Sequence, residues 1–141
     1  MSYADLSDVE ARNTLRLKRG GFSATTSPTD TQVGQYLEDT AAVLDGLLLG
    51  RGYTLPIPAE ATSALRWLRQ ANAAGAHARI ENAASEQDSL DESAEAAWKS
   101  ACDMLRKGEI ELDVPRDVTT THSRSNRRTQ GPRLFSLEQE L

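Results

Sequence analysis

The clearest helical pattern in the chain begins near residue 28 and ends near residue 50. Pro28, Thr29 and Asp30 are residue types that begin helices, and Gly50 and Gly52 are typical of a helix end. Between them, apolar residues recur mostly at three- and four-residue steps, at Val33, Tyr36, Leu37, Ala41, Leu44, Leu47 and Leu48. The pattern predicts one amphipathic helix of about 20 residues, roughly 30 Å long.

Three further helices are predicted from weaker patterns. Ser7 and Glu10 have the spacing of a capping box, which predicts a short helix starting at Ser7. Residues 59–84 predict a long helix whose apolar face consists mainly of alanine, so that a neighbouring helix can approach closely. A fourth helix carries Trp98 and Cys102 on its apolar side and ends before Gly108.

The remaining segments of the first 113 residues are predicted to be extended or irregular. Residues 14–18 alternate as an exposed extended segment does, and residues 109–113 predict a short strand. Residues 53–58 contain two prolines, each of which disfavours helical geometry in the residue before it, so this apolar connector should be extended. The acidic residues 85–92 should form a solvated loop.

The last 28 residues differ in character from the rest of the chain. Residues 1–113 contain 11 basic and 18 acidic residues, whereas residues 114–141 contain five arginines and three acids. Residues 119–128 include no apolar side chain and cannot form a core, yet residues 133–141 regain a leucine and phenylalanine cluster. The fold class predicted is therefore mainly α, a small bundle of about four helices with a short extended strand (1–113) and an extended C-terminal docking tail (114–141).

Candidates for catalysis or metal binding are few. His77 and His122 are the only histidines, and the nearest acid to His77 on the same helix is Glu81. Cys102 cannot form a disulfide within the chain, and its position on an apolar helix face suits a buried thiol. The acidic residues 86–92 lack the spacing and central glycine of a calcium loop. We therefore expect that the protein is not an enzyme and that it has no cofactor and no metal site.

The amino-terminal segment and the hydropathy pattern bear on location. The longest run of large aliphatic residues, 47–49, is far shorter than a membrane span requires. Asp5 and Asp8 stand where a secretory signal would have an apolar stretch. We expect synthesis in the cytoplasm and no membrane contact.

Two groups of arginines leave alternatives open. Arg66, Arg69 and Arg79 are spaced along the third predicted helix, either as a solvated face that pairs with acids such as Glu60 or as a contact surface. The tail arginines could attract nucleic-acid phosphates, although no aromatic residues are interleaved with them; they are Arg124, Arg127, Arg128 and Arg133. A protein partner is favoured for the tail, and a small DNA-binding or regulatory protein remains the alternative.

The segment from the end of the strongest helix into the connector carries a family resemblance. The sequence LDGLLLGRGYTLPIP (44–58), followed by an alanine-rich helix, resembles the head-tail adaptor, or head-completion and connector, proteins of long-tailed bacteriophages. Similarity extends over about residues 2–113, including SYADLSDVEAR near the start and AWKSACDMLRKGEIEL near residue 105. The pattern is loose and contains no residues that a chemical reaction would require.

The resemblance implies a structural virion protein of the phage neck. Such adaptors form a ring, usually of twelve copies, between the portal and a stopper or tail-completion protein, and the genome passes through the lumen without sequence-specific binding. They commonly dock to the portal through the chain end, which here implies Arg124, Arg127, Arg128, Arg133, Leu134, Phe135, Leu137 and Leu141. Ring closure requires an interface between copies, for which the candidates are Tyr53, Leu55, Ile57, Ile110 and Leu112.

Overall fold

The computed structural model describes residues 1–17, 20–84 and 92–117. Over these residues the chain is mainly helical and contains no strand, which confirms the predicted fold class except for its short strand. The described ranges include four helices of seven or more residues and one single helical turn. In chain order they are α1 (Leu6–Arg12), α2 (Thr14–Leu17), α3 (Asp30–Gly50), α4 (Thr62–Ala84) and α5 (Glu92–Lys107).

Helix α3 begins and ends where its sequence signals predict. The Thr29 side chain accepts a hydrogen bond from the backbone of Gln32, and the Gln32 side chain accepts one from the backbone of Thr29, forming a capping box. After Gly50, the backbone amide of Arg51 donates to carbonyls of the last turn, and Gly52 takes a positive φ of 85° that favours glycine. These features confirm the strongest helix prediction.

Helix α4 is the central element and packs most extensively against α5 and α3, with α1 as a further neighbour. Six consecutive residues, 71–76, are buried because other elements cover this part of α4 on every side. At Gly75, an added Cβ would lie 2.8 Å from the Trp98 ring and 2.9 Å from the Thr40 methyl group. The small residues predicted along α4 therefore do permit close helix contacts.

The core consists of two clusters of buried apolar side chains that share α3 and α4. The cluster toward the C-terminal end of α3 is built around Leu44, Leu48, Tyr53, Leu68 and Leu105. The other includes Val9, Phe22, Val33, Leu37 and Ile80. Packing of these side chains removes apolar surface from water, which is the main favourable contribution to folding.

Two predictions near the amino terminus are wrong in detail. The cap of α1 is Asp5, whose side chain accepts from the backbone of Asp8, while the Asp8 side chain accepts from the backbone of Asp5. The predicted capping residue, Ser7, instead donates its hydroxyl to Asp5 at 2.6 Å. Residues 14–17 are helical rather than extended, because the carbonyl of Asn13 accepts from the amide of Leu17 and no strand lies alongside them in the described chain.

The predicted strand at residues 109–113 does not form. The segment folds back over the core instead: Leu112 is buried, and its amide donates to the Tyr53 hydroxyl at 3.2 Å. The chain then makes an isolated antiparallel bridge between Tyr53 and Arg116, and the amide of Asp117 donates to the carbonyl of Gly52 at 2.7 Å. Residues 114–117, predicted as the start of the tail, thus pack on the helical body.

None of the helices in the described ranges is both long and apolar enough to cross a membrane.

Candidate functional site

A groove of about 960 Å³ lies where the amino-terminal segment, α3, α4 and the connector after α3 meet. Leu55, Pro56 and Ile57 of the connector line it together with Leu65 of α4. Its polar lining includes Tyr3, Asp45, Arg66 and Arg69. The groove is thus an apolar surface with charged groups at its margins, and no described side chain fills it.

The amino-terminal wall of the groove is attached to the core by a buried amide. Asn72 of α4 is completely buried, and its Oδ1 accepts hydrogen bonds from the backbone amides of Tyr3 and Ala4, both at 2.9 Å. Its Nδ2 donates to the carbonyl of Leu37 at 3.0 Å and to Thr40 Oγ1 at 2.7 Å. Because all of these groups are paired, the amide costs little to bury and positions residues 3 and 4 beside the groove.

Tyr3 and Asp45 join two walls of the groove by a hydrogen bond from the tyrosine hydroxyl to the carboxylate. Burial raises the pKa of the Tyr3 phenol well above its ordinary value of 10.0, and the hydrogen bond and negative charge of Asp45 raise it further. Tyr3 therefore stays neutral and can keep donating to Asp45 over the physiological pH range.

The two arginines of the groove have different surroundings. Arg69 contacts Asp8 at 2.7 Å and Asp5 at 3.3 Å, and its hydrogen bond to Asp8 raises the pKa of the guanidinium. The residue that pairs with Arg69 is thus not Glu60, the acid named from the sequence. Arg66 is exposed and has no hydrogen-bond or ion-pair partner within the described part of the chain.

A second apolar surface lies on α3, on the side that faces away from the core. We call Ala42, Val43, Gly46, Leu49 and Gly50 the outer face of α3. All five are exposed, and Val43 and Leu49 retain 41% and 58% of their accessible surface. They recur at spacings of one, three and four residues and so form one stripe along the helix.

The residues predicted to join copies into a ring are largely internal. Tyr53, Ile57 and Leu112 are buried in the core of their own subunit, so these side chains are covered without a second copy. Leu55 and Ile110 are only partly buried and pack against the same core. Of the five residues, Leu55 and Ile57 line the groove.

Tyr53 is buried because the chain after α5 closes over it. The Arg116 guanidinium lies 4.8 Å from the centre of the Tyr53 ring and donates to the tyrosine hydroxyl at 2.9 Å. That hydrogen bond raises the pKa of Arg116. Neither proline spacing nor hydropathy distinguishes such a covered connector from an exposed one.

Among the candidate chemical groups, His77, Glu81 and Cys102 lie within the described residues and are engaged in structural contacts, whereas His122 and residues 86–91 lie outside them. His77 Nδ1 lies 3.1 Å from Asn13 Oδ1, and Glu81 pairs with Arg16 at 2.9 Å. Cys102 is buried, and burial raises the pKa of its thiol. In residues 1–17, 20–84 and 92–117 no three His, Cys, Asp or Glu residues are grouped so that they could hold a metal ion.

The predicted portal-binding residues lie outside the described residues, all within 118–141. The groove itself was not predicted, because its walls come from residues 1–3, 45, 55–59 and 62–69, which are distant along the chain. The only local signal was the apolar, proline-containing connector at residues 53–58.

The described residues thus form a helical fold with two separate apolar surfaces, the groove and the outer face of α3. No known family model matches the chain, and no similar protein was found among curated proteins or solved structures.

Proposed function

We propose that this protein is a structural subunit of a bacteriophage neck, a head-tail adaptor that joins the portal to a stopper or tail-completion protein. Copies of the chain, twelve in our proposal, form a ring through which the genome passes. The protein acts by assembly rather than by turnover. It is made in the host cytoplasm and becomes part of the virion neck.

One observation carries the proposal. The segment that resembles phage adaptors, LDGLLLGRGYTLPIP, contributes to both apolar surfaces of the body: Gly46 and Leu49 lie on the outer face of α3, and Leu55 lines the groove. A subunit in a ring must offer two different surfaces, one to each neighbour. The resemblance and the surface distribution therefore favour the same kind of assembly.

The distribution of charge also supports the proposal. Residues 1–113 contain 18 acidic and 11 basic residues, so a ring of such bodies would have an acidic character that repels DNA phosphates. The chain beyond residue 117 contains four arginines and an apolar cluster at 134–137, a composition suited to folding onto a preformed partner. The entropic cost of ordering this tail would then be incurred only where the portal is present.

Removal of residues 124–141 tests the proposal. We expect the shortened chain to fold as the full chain does, because it keeps both core clusters, and to lose binding to the portal protein of the same phage. Far-ultraviolet circular dichroism reports the fold, and the size of the mixture with portal, measured by light scattering after gel filtration, reports binding. Undiminished portal binding by the shortened chain would contradict the proposal.

Two full-length variants separate charge from apolar contact in the tail. Alanine at Leu134, Phe135 and Leu137 should abolish portal binding, since these apolar side chains would pack against the portal protein. Glutamine at Arg124, Arg127, Arg128 and Arg133 should weaken binding and reduce its dependence on salt.

The alternative function, a small DNA-binding or regulatory protein, predicts different results for the full chain and for the same two variants. The full chain would bind duplex DNA with steep salt dependence and would not bind portal. The variant with glutamine at the four arginines would then lose nearly all DNA binding. The variant with alanine at Leu134, Phe135 and Leu137 would retain it.

A further inference from the structure

We infer that the groove of one copy receives the outer face of α3 of a second copy, and that this contact is the repeated interface of the ring. The inference rests on the proposed function and specifies which surfaces join neighbouring subunits. It replaces the interface predicted from sequence, of which only Leu55 and Ile57 line the groove.

The two surfaces complement each other in polarity. The groove is concave and lined mainly by apolar groups, including Leu55, Ile57 and Leu65. The outer face of α3 is convex, and none of the five residues that form it is charged. Joining them would bury Val43 and Leu49, the large apolar side chains of α3 that are exposed.

Charged groups beside the two surfaces are also complementary. Asp39 is exposed and lies three and four residues before Ala42 and Val43, so it continues the outer face toward the start of α3. Arg66 lines the groove and is likewise exposed. Neither has an ion-pair partner among residues 1–17, 20–84 and 92–117. A copy seated in the groove would bring an unpaired acid to an unpaired base, which sets the direction of docking.

Gly46 gives the outer face a surface that a neighbouring chain can approach closely. A Cβ added at Gly46 would meet no atom within 4 Å, and the same holds at Gly50 one turn later. Glycine within a helix costs about 1 kcal/mol relative to alanine, and neither position has a neighbour within the subunit that requires it. The open space at Gly46 leaves room for a second chain to approach the helix closely and also accommodates a small added side chain.

The contact necessarily joins two different faces, and each copy carries both. A single contact of this kind leaves the groove of the second copy free to receive a third, whereas a symmetric dimer would need both contacts to form reciprocally between two copies. Repetition of the contact about a rotation that closes gives a ring, as the proposed function requires.

Disulfide cross-linking of the purified full chain tests the inference. Cys102 is first replaced by alanine, and cysteines are then introduced at Gly46 on the outer face and Thr62 at the edge of the groove. Under mild oxidation at high protein concentration, the double variant should form a covalent ladder of dimers, trimers and longer species, while Gly46→Cys and Thr62→Cys alone should stay uncross-linked. Circular dichroism verifies that each variant is folded.

In the control pair, the cysteine on α3 is placed at Gln35 instead of Gly46. Gln35 is on the same side of α3 but 11 residues earlier, about 16 Å along the helix. Since a disulfide requires Cα atoms within about 7 Å, Gln35→Cys with Thr62→Cys should give no ladder. Equal ladders from both pairs, no ladder from the Gly46 pair, or efficient dimers from Gly46→Cys alone would overturn the inference.

Charge reversal gives a second measurement. Arg66→Glu and Asp39→Arg should each slow ladder formation severalfold in the Gly46 and Thr62 background, and the two changes together in one chain should restore it. Recovery is expected because each interface pairs residue 39 of one copy with residue 66 of the next. Failure of the double reversal to recover would contradict this arrangement.

These outcomes separate the inference from the proposed function. Portal binding of the full chain without a ladder would remove the interface and leave the adaptor function standing. A ladder without portal binding would retain the interface and remove the adaptor function.

Discussion

Tyr3 illustrates how a single side chain connects the amino-terminal segment to α3. Its backbone amide is held by Asn72 and its hydroxyl by Asp45, so one residue is bonded to both α4 and α3. Nothing in the local sequence around residue 3 indicates this role, because both partners lie more than 40 residues away along the chain. The position of the groove wall depends on these two contacts.

The raised pKa of Tyr3 predicts a specific dependence of stability on pH. A group whose pKa is higher in the folded than in the unfolded state contributes stability that is complete below its unfolded value of 10.0 and is lost as pH rises above it. From about pH 9 to pH 11, the free energy of unfolding should therefore fall more steeply for the natural chain than for Tyr3→Phe. The difference is at most about 1.4 kcal/mol per pH unit, and less where solvent reaches the phenol. Urea titrations across this range measure it, and parallel curves would contradict the assignment.

At the scale of elements, the central position of α4 depends on its small residues. Alanine and glycine allow α3 and α5 to pack close to its axis, and the approach is tightest at Gly75, between Trp98 and Thr40. Larger side chains at these positions would separate the helices and open the core.

Gly75→Ala should destabilise the protein although alanine is the better helix former. The added methyl would displace Trp98 or Thr40, at a cost of about 1–3 kcal/mol, against a gain of roughly 1 kcal/mol in helix propensity. We expect a net loss of about 1 kcal/mol in the free energy of unfolding, measured by urea denaturation of the dilute protein. Gly46→Ala is the control: with open space around it, it should stabilise by about 0.5–1 kcal/mol. Equal effects at both positions would be inconsistent with the packing described for α4.

At the scale of the whole molecule, the structured body extends past the point where the composition changes. Val114 is buried, Arg116 lies over Tyr53, and Asp117 bonds to Gly52. The change from acidic to basic composition near residue 113 therefore does not mark the end of the fold.

Shortened chains test this boundary. A chain ending at residue 117 retains Val114, Arg116 and Asp117 and serves as the reference. A chain ending at residue 113 should lose about 2–3 kcal/mol, because it lacks the buried Val114 side chain and the hydrogen bonds of Arg116 and Asp117. Thermal and urea unfolding of the two chains measure the difference, and identical stabilities would place the boundary at residue 113 after all.

Local signals in the sequence are sufficient to locate the main helices. The Thr29 cap, the three- and four-residue apolar spacing of α3 and the glycines after it act over one or two turns, so α3, α4 and α5 could be located from sequence alone. The tertiary structure alone decided what covers Tyr53, that residues 109–113 wrap the core instead of forming a strand, and that residues 3, 45, 55 and 65 share one groove. These outcomes depend on contacts between residues far apart along the chain, and periodicity carries no information about which distant surfaces meet.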